Sequence, residues 1–391
     1  MRSGLRIGRI FGINLYIDWS WLLIFLLVAW NLSYLFWSMH PDWSLGLRWG
    51  IALGAALLFF VSVLLHELAH SLMALQQAVP VRSITLFLFG GVSNIEREPP
   101  SPLAEFLITV VGPIMSIVLG LIFTWLGATR VRALDNLLIA PTDVMGQLDP
   151  LSTLLLWLGP INLALGLFNL IPGFPLDGGR ILRSILWAVT DNFQRATRWA
   201  SWIGQVVAWI FIIGGIAMVF GLNLPFFGTG LISGLWLAFI GWFLNSAAVQ
   251  GYRQVVIEDL LEGVPVARIM RSQPPTVPTN ISLTDLVHDH IMGTDDHAFP
   301  VVDNGHLVGL VTLEDMRKVA REAWDTTLVT QIMTPVDRLA VTTPEEDAED
   351  ALHKLTQQDV RQLPVLRKDG ELAGILRRRD IVRWLQVRGA T

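Results

Sequence analysis

Six long apolar stretches constrain this chain more than any other feature. Their composition, in a chain with 52% hydrophobic residues, 16% charged residues and a mean hydropathy of +0.52, does not fit an ordinary soluble globular protein. Each stretch has about the 20 apolar residues that a helix needs to cross a bilayer. The sequence therefore predicts a polytopic α-helical membrane protein with six transmembrane helices. The predicted spans are approximately 15–37, 47–75, 103–127, 151–171, 199–221 and 230–250.

Charges divide the chain into two predicted domains. Residues 1–252 contain 12 Arg and 11 Asp or Glu, whereas residues 253–391 contain 16 Lys or Arg and 22 Asp or Glu. The first part is the predicted membrane domain, and the second is a mildly acidic soluble domain. Neither part is basic enough to indicate nucleic-acid binding. The chain has no cysteine, which excludes disulfides and thiolate metal ligands.

Arginines in the connectors predict the orientation in the membrane. They concentrate before the first span, in the connectors 76–102 and 172–198, and after the sixth span. Because positive charge accumulates on the cytoplasmic side, these segments and both termini are predicted to be cytoplasmic. Within the first connector, VRSITLFLFGGVSNIE is rich in β-branched residues and has two central glycines, which predicts a small hairpin or an extended edge.

The soluble domain contains an internal repeat with a period of about 64 residues. The two copies cover about 264–322 and 328–388 and share an I-M pair, a P-V pair, a glycine after a turn and a terminal Asp. Each copy is predicted to run strand, helix, strand, turn, strand, helix. Two copies are needed to close one core, so the sequence predicts an α/β domain made of two repeats.

The second apolar stretch contains an H-E-x-x-H pattern within LLHELAHSLM, residues 64–73. On a helix, His66 and His70 share one face, so both imidazoles can bind the same metal ion. Glu67 lies next to them and can serve as a base. The bare pattern is only moderate evidence in a soluble protein. Inside a membrane each ionisable group costs about 2.5–3.5 kcal/mol or more, which favours a metal site here.

A catalytic zinc site usually has three protein ligands and one open position. Without cysteine, and with no further histidine in the spans, the third ligand is expected to be a carboxylate. The candidates on the predicted cytoplasmic side are Glu96, Glu98, Glu105, Asp177 and Asp191.

The Pro- and Gly-rich segment 159–180 favours Asp177 among these candidates. Its three prolines, together with Gly173, Gly178 and Gly179, prevent an unbroken helix there. Irregular backbone at membrane depth is tolerated only where it is buried in protein or lines a cavity, so an acid on it can face an ion. In the alternative interpretation, Asp177 only caps the following helix or pairs with Arg180.

Three segments carry a resemblance to a known family: H-E-L-A-H, GGVSNIEREPPSPLAEFLITVVGPIMS and FNLIPGFPLDGGR. The chain resembles the site-2 protease family of intramembrane zinc metalloproteases. Six spans followed by a CBS-domain pair resemble a bacterial and archaeal branch of that family. The resemblance implies one Zn²⁺ per chain, held by His66, His70 and Asp177, with Glu67 as the general base.

The same resemblance implies further site residues. Asn169 matches an asparagine thought to stabilise the tetrahedral oxyanion. The stretch Gly90, Gly91 and Val92 matches a β element proposed to take substrate as an added strand. Many relatives have a histidine in the first span where this chain has Asp18, which is either an interfacial charge paired with arginine or an accessory polar group.

The soluble repeats resemble CBS domains, which often bind adenine nucleotides such as ATP or AMP. Their T/S-x-x-D ribose motif is present in the first copy as Thr312 to Asp315. In the second copy Arg377 replaces the hydroxyl residue before Asp380, and the arginines there can meet phosphates. The alternatives are that both acids only cap helices, or that the pair is structural or forms a homodimer.

The predicted function is regulated intramembrane proteolysis, the hydrolysis of a peptide bond in or near a transmembrane segment. The expected substrate is a single-span or membrane-tethered protein in the lipid bilayer. The expected location is the cell membrane of a bacterium or archaeon, with the CBS pair in the cytoplasm. The competing interpretations are a CBS-regulated membrane transporter and a pseudoprotease that binds zinc without cleaving. The transporter is disfavoured because the intramembrane charges cluster at one depth and the spans show no internal repeat.

Overall fold

The computed structural model describes residues 4–88, 90–95, 97–131, 148–224, 228–292, 294 and 296–389. These residues form two compact units that divide between Arg253 and Gln254. Among the described residues, six helices are long and apolar enough to cross a membrane. The prediction of a polytopic helical membrane protein with a C-terminal α/β domain is confirmed.

The helices of the first unit begin at capping residues. Asp18, Ser44 and Ser101 each accept a hydrogen bond from a backbone N–H of the first turn of a helix, which satisfies one of its unpaired donors. The helices are α1 (Trp19–Met39), α2 (Leu45–Gln76), α3 (Pro102–Ala128), α4 (Pro150–Asn169), α5 (Asp177–Thr190), α6 (Phe193–Val219) and α7 (Leu231–Leu261).

A four-stranded sheet accompanies these helices. Its strands are β1 (Gly4–Ile10), β2 (Ile13–Asp18), β3 (Val81–Phe87) and β4 (Gly90–Ile95), in spatial order of their numbers. Strands β3 and β4 form the hairpin that the sequence predicts in the 76–102 connector, and β2 pairs with β3 in parallel. Strand β4 therefore lies at the edge of the sheet.

The N-terminal hairpin corrects the predicted start of the first span. Residues 15–18 belong to β2 rather than to a helix, and the helix begins at Trp19. Phe11 and Gly12 both have positive φ and form the two-residue turn that suits a hairpin. Burial of Ile13 and Leu15 on one face of β2 stabilises the strand.

Helices α3 and α4 pack closely because small residues line their interface. A Cβ added at Gly159 would lie 2.1 Å from Thr124 Oγ1, and one added at Gly166 would lie 2.9 Å from the Pro113 carbonyl oxygen. Small residues allow this close approach of two membrane helices. The contact fixes the end of α4, and the chain after it leads directly to Asp177.

The second unit contains a four-stranded sheet and a two-stranded sheet. The first sheet consists of β5 (Val277–Pro278), β6 (Ala298–Asp303), β7 (His306–Thr312) and β8 (Thr334–Pro335), and the second of β9 (Gln362–Leu366) and β10 (Leu372–Arg377). The α-helices are α8 (Leu283–Asp285), α9 (Leu313–Met316), α10 (Val329–Ile332), α11 (Ala348–Gln357) and α12 (Arg378–Gly389). A π-helical turn covers Leu286–Ile291, and 3₁₀ turns cover Val266–Arg268, Arg321–Ala323 and Val336–Arg338.

The two repeats exchange the segments with which they begin. Val266 and Ile269, from the start of the first copy, are buried in the core of the second copy. Val329, from the start of the second copy, is buried in the core of the first. Strand β8 of the second copy likewise pairs with β7 of the first. Each core therefore contains side chains from both copies.

Candidate functional site

Helix α2 places two histidines on one buried face, as the spacing predicts. The Nε2 atoms of His66 and His70 lie 3.1 Å apart. Both residues are almost fully buried, at 4% and 7% exposure. An ordinary apolar helix interior offers no reason to bring two imidazole nitrogens together, so the pair indicates a common ligand.

Asp177 is the carboxylate that meets this pair. Its Oδ2 lies 3.0 Å from His66 Nε2 and 3.2 Å from His70 Nε2. Asp177 is the first residue of α5, after the irregular segment that follows α4. That segment folds tightly, since a Cβ added at Gly178 would lie 2.3 Å from the Leu170 and Ile171 carbonyl oxygens.

The other candidate carboxylates have different surroundings. Glu98 and Glu105 both bind Arg183. Asp191 ends α5 in a left-handed conformation. Glu96 lies outside the described residues.

The hydrogen-bond partners of the histidines show that the donor set fits a metal ion. His70 Nδ1 lies 2.7 Å from the Ile108 carbonyl oxygen, which only accepts, so Nδ1 carries the proton and Nε2 presents a lone pair. His66 Nδ1 lies 2.9 Å from Ser116 Oγ, and the same tautomer satisfies this contact. Two nitrogen lone pairs and a carboxylate oxygen thus converge on one point, an arrangement that a cation stabilises.

The spacing of these three atoms also fits a tetrahedral zinc ion. Bonds of about 2.0–2.1 Å at tetrahedral angles separate two ligand atoms by about 3.3 Å. The three separations here are 3.1, 3.0 and 3.2 Å. Two imidazoles and one carboxylate are a donor set found in catalytic zinc sites, where they leave the fourth position open.

The side chain of Glu67, a residue of α2, faces the edge strand β4. Ser93 Oγ donates a hydrogen bond to Glu67 Oε2 at 2.9 Å. Gly91 packs directly on the same side chain, because an added Cβ there would lie 2.3 Å from Glu67 Cγ. The predicted substrate strand, Gly90 to Val92, therefore passes next to the predicted general base.

Asn169 is the last residue of α4. Its Nδ2 donates to the Leu165 carbonyl oxygen at 3.0 Å, within the same helix, and the side chain is half-buried. The oxyanion role of Asn169 stays a prediction.

Asp18 has a local role in the structure: it accepts hydrogen bonds from the backbone N–H and the hydroxyl of Ser20 and so caps α1.

A buried ion pair that sequence reasoning missed holds α5 against α3. Arg183 Nε donates to Glu105 Oε1 at 2.6 Å, and the two side chains are 4% and 0% exposed. The Arg183 guanidinium also lies 4.5 Å from the centre of the Phe193 ring. In the sequence, Glu105 is only a candidate metal ligand, and the residue type of Ser116 by itself assigns no role. The sequence signal for this ion pair is an acid, Glu105, and a base, Arg183, each among apolar residues, because such charges need a partner.

In the second unit, the acid of the first predicted ribose motif belongs to a capping box. Thr312 Oγ1 donates to Asp315 Oδ2 at 2.6 Å, and Lys318 Nζ donates to Oδ1 at 2.9 Å. Partial burial acts to raise the pKa of Asp315, but these hydrogen bonds outweigh it and hold the pKa below its usual value. Thr312 lines a cavity of about 1310 Å³.

The acid of the second predicted motif is bound by an arginine of the chain itself. Arg377 contacts both carboxylate oxygens of Asp380, at 2.7 and 2.8 Å. Arg377 also donates to Asp296, which Arg271 and Arg379 contact as well. The hydrogen bonds that Arg377 donates to Asp380, partly offset by burial, raise the pKa of Arg377. These arginines line a second cavity of about 420 Å³.

Comparisons with known proteins assign a family to each of the two units. The chain matches the profile of peptidase family M50 over residues 54–213 and that of the CBS domain over residues 266–322 and 329–387. It is 34% identical to Rip3 of Mycobacterium tuberculosis, a protein named as a zinc metalloprotease, over 99% of this chain and 94% of the relative.

A named relative and a solved structure from Methanocaldococcus jannaschii are also similar. Zinc metalloprotease MJ0392 is 30% identical over 99% of this chain and 97% of its own length. The solved structure of a site-2 protease from that organism is 29% identical, covers 64% of this chain and 95% of that chain, and has a TM-score of 0.41.

Proposed function

Because the chain belongs to peptidase family M50, the site-2 proteases, and is a zinc metalloprotease with a CBS-domain pair, we propose that it cleaves membrane proteins within or near a transmembrane segment. One observation carries the proposal: His66, Glu67 and His70 lie on a helix apolar enough to span a bilayer, and Asp177 from α5 meets the two histidines there. A hydrolytic site inside the membrane is useful only if the peptide bond that it cleaves also lies in or near the membrane.

The three converging side chains are the proposed zinc ligands. When bound there, zinc would supply Lewis-acid activation of water and polarisation of the scissile carbonyl. His66 and His70 each offer Nε2, and their Nδ1 partners orient the rings. Asp177 offers Oδ2 from the start of α5.

Glu67 is the proposed general base and acid. Its carboxylate would take a proton from the attacking water and deliver it to the leaving amine. The amide of Asn169 is the proposed donor to the oxyanion. Its Nδ2 has two N–H donors, so one can serve the oxyanion while the other stays on the Leu165 carbonyl oxygen.

The proposed substrate path runs along the edge strand β4. A transmembrane helix hides its peptide bonds in its own hydrogen bonds, so the substrate must unwind before cleavage. Among the strands that the structure describes, β4 pairs only with β3, so its outer edge at Gly90, Gly91 and Val92 can offer backbone groups to such an extended segment. Contact between Gly91 and Glu67 supports cleavage close to this strand.

The proposed location is the cell membrane, with both termini and the CBS pair on the cytoplasmic side. The arginine distribution supports this orientation. Single cysteines introduced after α7 and in the connector between α1 and α2 would report it through labelling by a membrane-impermeant reagent on intact cells. We expect only the α1–α2 cysteine to be labelled, and the opposite result would reverse the orientation.

The deciding experiment uses purified protein in detergent and a single-span test substrate that contains residues of low helix propensity. Wild type, Glu67→Gln and chelator-treated wild type are compared for cleavage and for bound zinc. Cleavage by wild type alone supports the proposal. Bound zinc without cleavage of any substrate tested favours a zinc-binding pseudoprotease. No bound zinc overturns the site and leaves a CBS-regulated transporter as the better interpretation.

The CBS pair is the proposed regulatory domain, with ATP or AMP as its ligand. The larger cavity combines apolar walls, including Leu310 and Leu339, with arginines such as Arg378, which suits a purine and its phosphates. A nucleotide that uses Asp380 must first displace Arg377.

Calorimetric titration of wild type and Thr312→Ala with ATP and AMP tests nucleotide binding. Weaker binding by the variant supports the larger cavity as the site, whereas equal binding overturns it. Cleavage rates with and without nucleotide then report regulation. The mass of the protein in detergent, with and without the CBS pair, tests the predicted homodimer.

A further inference from the structure

Ser93 makes a direct contact with the proposed general base from a different element of the fold. Its hydroxyl donates to Glu67 Oε2 at 2.9 Å, although the two residues are 26 positions apart in the chain. Ser93 lies on β4, and Glu67 lies on α2. A hydrogen bond to an ionised carboxylate is stronger than one between neutral groups.

Two further contacts fix the geometry of this hydrogen bond. Ser71, one helical turn after Glu67 and completely buried, places its Oγ 3.1 Å from Ser93 Oγ. Gly91, two residues before Ser93 on the strand, packs on the Glu67 side chain so closely that an added Cβ would lie 2.3 Å from Cγ. The carboxyl group is therefore confined between the helix and the strand.

We propose that Ser93 is a positioning residue for Glu67, and that β4 sets the orientation of the base through it. With Oε2 held by Ser93, the other oxygen, Oε1, is left to exchange a proton with the reacting water. Because β4 is also the edge strand offered to substrate, a substrate segment that pairs with β4 steadies the strand that holds the base. The inference rests on the proposed role of Glu67.

The test replaces Ser93 with three residues of graded chemistry. Ser93→Thr keeps the hydroxyl, Ser93→Val has the shape of threonine without it, and Ser93→Ala removes it with the smallest change. Threonine and valine both suit a strand. Ser83→Ala on the neighbouring strand β3 is the matched control, because it removes a hydroxyl from the same sheet at a position paired with Asn94.

For each variant, kcat and KM for the test substrate are measured separately, together with bound zinc. We expect Ser93→Ala and Ser93→Val to lower kcat by about 10- to 100-fold, the usual effect of a misplaced catalytic group, with KM and zinc content unchanged. Ser93→Thr should retain most of kcat, and Ser83→Ala all of it. Wild-type kcat in Ser93→Val, an equal loss in Ser93→Thr, or loss of zinc in the Ser93 variants would each overturn the proposal.

A second measurement does not depend on activity. Apparent Tm values of wild type, Ser93→Ala, Glu67→Ala and the double variant form a thermodynamic cycle. We expect the Tm loss from Ser93→Ala to shrink when Glu67 is already alanine, and additive losses would show that the two side chains do not interact. If wild type cleaves nothing, the proposed function fails, while the cycle still decides whether Ser93 holds Glu67.

Discussion

Gly112→Ala is the substitution that most directly probes the metal site. Gly112 lies on α3 opposite His70, and an added Cβ would lie 2.1 Å from His70 Nε2. That position is about 1.3 Å short of the 3.4 Å at which ordinary contact begins. The His70 ring has little freedom to retreat, because its Nδ1 is held by the Ile108 carbonyl oxygen at 2.7 Å.

The size of the effect follows from this overlap. Metal–ligand distances tolerate changes of about 0.2 Å, so a shift of more than an ångström removes His70 as a ligand. We expect zinc affinity to fall by at least about 100-fold. Overpacking alone costs about 1–3 kcal/mol, so the protein should still fold and insert.

The assay is competition for zinc between the protein and a chelator of known affinity. Gly54→Ala on α2 is the control, because its added Cβ would lie 3.8 Å from Leu154, an ordinary contact, and alanine favours a helix. We expect the control to bind zinc as wild type does and to cleave normally. Wild-type zinc affinity in Gly112→Ala would refute the geometry from which the prediction is worked.

Three further predictions follow from the contacts. Ser116→Ala removes the hydrogen bond to His66 Nδ1 and should weaken zinc binding by about 10-fold in the same competition assay. Arg183→Met leaves Glu105 buried without its partner and should lower stability by about 3–5 kcal/mol; the double variant Arg183→Met/Glu105→Gln should recover part of the loss in unfolding experiments. Asp315 has a lowered pKa in the folded protein, so its stabilising effect is complete above the unfolded pKa of about 3.9 and is lost as the pH falls through the folded value. The Tm difference between wild type and Asp315→Asn should therefore be largest near neutral pH and vanish in acid; a difference that persists in acid would contradict this reasoning.

Features that depend on neighbouring residues could be predicted from the sequence. Twenty or so consecutive apolar residues specify a membrane helix whatever the rest of the chain does. The spacing of His66 and His70 places both on one face of a helix, and the structure agrees. The hairpin of β3 and β4 follows equally from β-branched residues around two glycines. The N-terminal hairpin was missed because INLYID is apolar enough to read as the start of the first span.

Choosing among the candidate carboxylates required more than local pattern. Asp177, Glu98 and Glu105 all lie on the predicted cytoplasmic side, and backbone irregularity only favoured the first. In the structure, Arg183 binds both glutamates, while the tight turn at Gly178 brings Asp177 to the histidines. This outcome depends on the packing of α3, α4 and α5 against one another.

By itself, the sequence determined the number of membrane helices, the paired histidines with their adjacent glutamate, and the two soluble repeats. The tertiary structure alone decided that Ser116 orients His66, that Ser93 holds Glu67, and that each repeat completes the core of the other with Val266 or Val329. The physical reason is the range of the interactions. Helix and strand patterns come from contacts a few residues apart, whereas these partners are 26 or more positions apart and meet only when helices and strands pack.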